Sequence, residues 1–202
     1  NFANDYRGGV TVVGDLADLD QTQAVAEQVN RLGRVDAVIH NAGIYSGRHI
    51  MPVNIVAPYL LTALIDRPQR LVYLSSGSHY GGRAEVAGVD WSGQRRTGSY
   101  SDSKLFVTTL AVAIARIWPD VYSNAVDPGW VPTRMGGPGA PDDLRLGHLT
   151  QEWLATSDEP EARSSGTMLR IMPTLAMPCA TNPPRARTIS LIGGSALPGQ
   201  AI

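Results

Sequence analysis

The chain has 202 residues, 43% hydrophobic and 17% charged, with a formal net charge of −1. That balance fits one globular α/β-sized domain with a full core and excludes a disordered chain. A near-neutral chain lacks the basic face that nucleic acid or an anionic membrane calls for, so neither is expected as a partner. The single cysteine, Cys179, rules out an internal disulfide framework and fits a reducing compartment, so a cytoplasmic location is expected. No Cys/His cluster has zinc-site spacing, and no metal is expected. No apolar run reaches the roughly 18 residues of a membrane span. The N-terminus, Asn1 to Arg7, lacks the basic-then-apolar layout of a signal peptide. Its first residue is not methionine, so a fragment or a processed product is expected.

In chain order, Thr11–Val13 is a short β-branched run closed by Gly14 and reads as a buried strand. Asp20 can cap a helix from Gln21 to about Leu32. Val25, Val29 and Leu32 fall at helical spacing there, and Gly33 supplies the stop. Val35–Ile39 is a second strand, ending in His40-Asn41-Ala42-Gly43. Val53–Ile65 reads as a helix, with a kink expected at Pro58, which lacks a backbone donor. Arg70–Leu74 is a third strand, ending in Ser75-Ser76-Gly77. Tyr100–Trp118 is a long apolar helix closed by Pro119. Tyr122–Val126 is a fourth strand, followed at once by Asp127-Pro128-Gly129.

Beyond Val131 the texture changes. Residues 132–149 are rich in Pro and Gly and read as a mobile loop that covers the substrate. Thr150 can cap a short helix, and Thr167–Ile171 is a last strand. From Pro173 to Ile202 no steady period remains, and an irregular tail is expected. Strands alternating with helices at this spacing imply βαβ units and a parallel sheet, with chemistry at the carboxyl ends of the strands. The three polar clusters all fall at strand ends. The domain is therefore expected over 1–172, with the tail over 173–202.

Tyr100 and Lys104 lie one turn apart on one helix face. A free tyrosine has a pKa of about 10, and bringing it to neutrality takes about 4 kcal/mol of differential interaction. A nearby ammonium can contribute that only in a partly desolvated cleft. Alone, such a pair is usually a solvated helix face. Ser76, at the end of a central strand, can hydrogen-bond a carbonyl oxygen. Asn41-Ala42-Gly43 lets a flat ring or ribose approach the backbone. Asn54 is an amide inside an apolar stretch and needs partners. The four histidines, five methionines and four tryptophans read as surface or packing residues.

Taken in order, Asp15-Leu16, Asn41-Ala42-Gly43, Asn54, Ser75-Ser76, Tyr100-xxx-Lys104, and Asn124 through Pro128-Gly129 to Thr133 resemble the short-chain dehydrogenase/reductase family over residues 10–166. The 24-residue step from Ser76 to Tyr100, with His79, Gly81-Gly82 and Asp90-Trp91, resembles its retinol-dehydrogenase-like bacterial branch. The resemblance implies a Rossmann-like doubly wound parallel sheet and an NAD or NADP cofactor. It implies hydride transfer between a small-molecule alcohol and a carbonyl. Tyr100 would be the general acid and base, Lys104 its pKa-lowering partner and a ribose ligand, Ser76 the carbonyl polariser and Asn54 the holder of a relay water. Asn41, Ala42 and Gly43 would line the cofactor cleft. Asp15 and Leu16 would meet the adenine, and Pro128, Gly129 and Thr133 would flank the nicotinamide. A homo-oligomer would pair through the Tyr100 helix, whose stripe Leu110, Ile114, Ile117 suits an interface or a core equally.

The chain departs from this pattern at both ends. The family's first β-α-β unit, with its glycine-rich phosphate turn, has no counterpart before Thr11. Gly8-Gly9 precedes a strand and stands in the wrong order. A raw sheet edge and impaired dinucleotide binding are therefore expected. The rival readings are a non-catalytic relic or binding module on the same scaffold and, last, a sugar-nucleotide epimerase or dehydratase, for which residues 132–202 are too short.

Overall fold

The computed structural model describes residues 10–170 and 187–191. Helix α1 spans Leu19–Arg31 and is capped by Asp18, whose carboxylate accepts from the Gln21 N–H at 3.0 Å. The expected cap, Asp20, sits instead in the first turn, where its negative charge suits the helix dipole. Gly33 ends the helix at φ +90°, a conformation that favours glycine. Strand β1 is Ala37–His40 and β2 is Arg70–Leu74, buried along its whole length. Between them Pro52–Val56 forms a π-type turn that runs into α2, Ala57–Leu64. Pro58 has no N–H for the carbonyl four residues earlier, that of Asn54. The helix widens there, with the Ala57 N–H reaching back to Pro52. Helix α3 is Tyr100–Ile117, β3 Tyr122–Asp127, α4 Leu149–Thr156, β4 Met168–Arg170 and β5 Thr188–Leu191.

The five strands form one parallel sheet in the order β4-β3-β2-β1-β5. Successive residues of a strand face opposite sides. Val38, Leu71, Tyr73 and Ala125 meet α1, α2 and α3 in the larger core. Val72 and Val126 meet Trp153, Leu154 and Ala162 on the other side. Both faces are thus covered, as a parallel sheet requires. Of the interface stripe considered above, Ile114 is buried and Leu110 packs on the core, while Ile117 is 61% exposed.

Two elements differ from expectation. Thr11–Val13 forms no strand: Val12 packs on the core, but Val13 is 84% exposed and the run pairs with no strand edge. A β-branched run without a partner is not a strand, because its ladder groups bond only water. Conversely, Thr188–Leu191 lies inside the expected irregular tail yet pairs with β1 in register, from Ala37↔Thr188 to His40↔Leu191. It covers the edge of β1 expected to be raw. The anchor is Asp36, whose N–H donates to the Arg187 carbonyl at 2.9 Å while its carboxylate accepts from the Arg187 N–H at 2.9 Å. Gly8-Gly9, Ile171, Cys179 and the rest of the tail lie outside the described residues.

Candidate active site

Ser76, Tyr100 and Lys104 converge at the carboxyl ends of β2 and β3. Helix α3 begins at Tyr100 because Ser99 and Asp102 cap each other: the Asp102 N–H donates to Ser99 Oγ at 3.1 Å, and the Ser99 N–H donates to Asp102 Oδ2 at 2.9 Å. Asp102 also accepts from the Arg83 N–H at 2.7 Å, tying the 77–99 segment to the helix start. Gly82 lets that segment press on the Ser101 backbone, where a Cβ would lie 2.5 Å from a carbonyl oxygen.

Lys104 is buried, and its Nζ donates to the Leu74 carbonyl at 2.7 Å. Burial lowers its ammonium to about 8, against a pull upward from Asp127. The Tyr100 phenol faces the Ser76 side chain. Its pKa is raised, first by burial; Ser76 opposes this, while Asp127 and Tyr45 add to it. The lowering expected from Lys104 is not among the causes that set it. The ammonium sits over the ring face, 5.3 Å from its centroid, and is held by a backbone carbonyl. At neutral pH this tyrosine is therefore a protonated phenol.

Ser76 is extended and caps the short 3-10 turn Gly77–Gly81, accepting from the Ser78 N–H at 3.2 Å. Asn54 acts as a clamp. Its Oδ1 accepts from the Ile44 N–H at 2.8 Å, and its Nδ2 donates to the Ile44 carbonyl at 3.0 Å and to Ser103 Oγ at 2.9 Å. Both amide hydrogens are engaged by protein groups, which fixes the Asn41-Ala42-Gly43 turn against α3. A Cβ on Gly43 would stand 3.5 Å from Asn54 Oδ1 and 3.6 Å from Lys104 Nζ. The surface beside the ammonium is therefore bare backbone, and a flat ligand can lie against it.

The remaining candidates do local work. Asp15 Oδ1 accepts from the Ala17 N–H at 2.9 Å in the turn before α1, and Leu16 packs on the core. Gly129, at φ +76°, turns the chain after Pro128 and donates to Asp127 Oδ1 at 3.1 Å. Thr133 accepts from the Gly136 N–H within its own loop. Two site residues were missed from sequence. Ser103 is the Asn54 partner, hidden in the Tyr-xxx-Lys spacer. Asp127 is a buried carboxylate whose only signal was its place at a strand end. Among the described residues no group of acidic, His or Cys side chains could hold a metal ion. No helix among them is long and apolar enough to cross a membrane.

Comparison with known proteins bears on what such a site belongs to. No protein-family model matches the chain. An uncharacterized oxidoreductase of Emericella nidulans is 37% identical over 187 residues, covering 85% of this chain and 71% of that protein. The short-chain dehydrogenase chyC of Penicillium rubens is 34% identical over 161 residues, covering 73% of this chain and 62% of that one. The crystal structure of NADPH-bound carbonyl reductase from chicken fatty liver superposes with a TM-score of 0.64 at 19% identity, covering 84% and 77% of the two chains, and shares the fold. The chain belongs to the short-chain dehydrogenase/reductase family.

Proposed function

We propose that this chain is an NAD(P)-dependent oxidoreductase that interconverts an alcohol and a carbonyl, with Tyr100 as the proton donor and acceptor. One observation carries the reading. A half-buried phenol beside a serine side chain stands one helical turn from a buried ammonium, at the strand ends of a parallel sheet. The strand order supports the ligand's place. Chain order runs from β1 through β4 in one direction, and β5 lies on the other side of β1. The topological switch thus falls beside Asn41-Ala42-Gly43, where open α/β sheets bind ligands. The glycine face at Gly43 fits a nicotinamide ribose, with Lys104 as the donor to its hydroxyls.

In the reductive direction the substrate oxygen accepts from the Ser76 and Tyr100 hydroxyls. A nicotinamide cofactor, held at its ribose by Lys104 beside the Gly43 backbone, would supply the hydride for the carbonyl carbon. As that carbon is reduced, the oxygen takes the Tyr100 proton, and the Lys104 ammonium stabilises the phenolate left behind. Solvent then reprotonates Tyr100. The long 77–99 segment supports placement in the retinol-dehydrogenase-like branch. A small-molecule carbonyl compound is the substrate class.

The test is NADPH binding by fluorescence and turnover with a panel of aldehydes and ketones, beside Tyr100→Phe. Binding by both, with turnover by the wild type alone, is the expected outcome. A folded chain that binds neither NADH nor NADPH overturns the reading and favours a non-catalytic relic of the family.

A further inference from the structure

The three inner strands of the sheet each run into a segment that holds an exposed aromatic ring at the carboxyl end, where Ser76 and Tyr100 also stand. Tyr45 lies in the loop after β1, Tyr80 in the 3-10 turn after β2, and Trp130 just beyond β3. A single exposed ring is ordinary; one on each of three neighbouring strand ends marks a surface that a ligand covers. Each ring is held in place. Trp130 Nε1 donates to the Gly136 carbonyl at 2.8 Å. Tyr80 packs 4.0 Å from His79, whose Nδ1 donates to the Ser76 carbonyl at 2.7 Å. Tyr45 touches the reacting group itself: its ring is centred 4.9 Å from that of Tyr100 and tilted by 46°. A chain of hydrogen bonds sets the same pair in register. Asn54 grips the backbone N–H and carbonyl of Ile44, the residue before Tyr45, and donates to Ser103 Oγ at 2.9 Å. Ser103 Oγ donates in turn to the Tyr100 carbonyl at 2.7 Å. Yet Tyr45 remains 63% exposed, so the ring is fixed against Tyr100 while most of its surface is left open.

We propose that Tyr45 is a specificity-determining residue whose exposed ring selects planar aromatic carbonyl compounds over puckered aliphatic ones of the same carbon skeleton. This rests on the oxidoreductase reading. A carbonyl oxygen that accepts from the Tyr100 hydroxyl stands about 2.6–3.2 Å from it. A ring joined directly to that carbonyl is then carried alongside Tyr45, which adjoins Tyr100. Aromatic rings attract each other, offset or edge to face, at centroid spacings of about 4.5–7 Å, because the negative face of one meets the positive edge of the other. A saturated ring has no such quadrupole. It buries a similar apolar area, so burial alone does not tell the two apart. Because Tyr45 is already tied to Tyr100 through Ile44, Asn54 and Ser103, little freedom is lost when a ligand covers it.

The experiment uses the full chain and two aldehydes, benzaldehyde and cyclohexanecarbaldehyde, which share a carbon skeleton and differ in planarity. The variants are Tyr45→Phe, Tyr45→Leu and Tyr45→Gln, and circular dichroism checks the fold. The readout is the ratio of kcat/KM for the aromatic aldehyde to that for the saturated one, in which any effect common to both cancels. In Tyr45→Leu the ratio is expected to fall about fivefold, through a higher KM for benzaldehyde more than through kcat. Tyr45→Phe keeps the aromatic face and restores the wild-type ratio. A ratio unmoved in folded Tyr45→Leu overturns the proposal, and so does a loss of kcat shared equally by both aldehydes, which a mere cover on Tyr100 would give. If leucine does not fold, Tyr45→Gln is read in its place, with the same expectation and the same overturning results. A wild type that binds NADPH or NADH and reduces neither aldehyde overturns the aromatic selectivity alone. A folded wild type that binds neither dinucleotide sinks the oxidoreductase reading as well.

Discussion

Lys104 and Leu74 are joined by a hydrogen bond of 2.7 Å from the ammonium to the backbone carbonyl. The bond spans 30 residues of sequence and ties the first turns of α3 to the last residue of β2. A lysine anchored by a carbonyl from below keeps its other two donor hydrogens for whatever lies above it. It also keeps the charge in a place where burial resists it.

That resistance has a measurable sign. The folded ammonium stands at about 8, below its ordinary 10.5. Between those values the unfolded chain holds a proton that the folded chain has lost. Folding is thus favoured progressively as pH rises through that window, and the penalty is constant below it. Urea unfolding of the wild type against Lys104→Met should show the difference moving in favour of the wild type from pH about 7 to about 10. A constant difference would contradict the burial of the charge. Turnover of Lys104→Met should fall about a hundredfold or more at either pH.

Asn54 makes three hydrogen bonds to Ile44 and Ser103. Asn54→Ala leaves the Ile44 N–H and carbonyl in a half-buried setting without their partner. We expect a loss of about 2–3 kcal/mol, read from the urea midpoint. NADPH affinity should weaken as well, because the turn at Gly43 is no longer held against Lys104. A variant with native stability and weakened affinity alone would show that Asn54 serves the ligand and not the fold.

His40 is fully buried, stacks on Tyr73 at 4.6 Å and shares a bond of 3.1 Å with Thr62 Oγ1, while its Nδ1 has no partner among the described residues. Burial lowers its pKa to about 3. Here the unfolded chain binds the extra proton. Stability contributed by the neutral ring is therefore complete above about pH 6.5 and is lost as pH falls toward 3, by about 1.4 kcal/mol per pH unit. His40→Phe keeps the stacking and removes the titration. Its urea midpoint should depend on pH less steeply than that of the wild type between pH about 6 and 4.

Much of this architecture is legible in the sequence where local signals and tertiary demands agree. Leu71–Leu74 is a bounded run of large hydrophobic residues, and the strand Arg70–Leu74 is buried on both faces. Tyr100 follows a capping serine and opens an apolar helix, which fixes its direction as well as its existence. Thr11–Val13 failed because β-branching supplies only a preference, and the run meets no sheet edge. Thr188–Leu191 was invisible for the opposite reason. Its alternation of Thr188, Ile189, Ser190 and Leu191 is only four residues long in a stretch rich in Pro and Gly, and its reason to be extended is an edge formed by residues near position 38. Asp127 was in view as part of a turn, yet its charge matters only because β3 delivers it beside α3.

Leu191 closes β5 against His40 and is buried. Leu191→Ala should cost about 2 kcal/mol or more, visible in the urea midpoint, and should accelerate hydrogen exchange of β1 amides before those of β2 and β3.

The anchor between Asp36 and Arg187 joins residues 151 positions apart, with β1 and β5 running on from it in parallel. Such a contact is assembled late, because the whole sheet interior must be in place before loop closure is rewarded. β5 is thus the detachable margin of an otherwise contiguous sheet. When it lifts, β1 presents an open row of backbone donors and acceptors that matches the same four-residue strand on any other copy of the chain. Reciprocal strand exchange, favoured by concentration and by long residence near the unfolding transition, is the assembly route this edge permits.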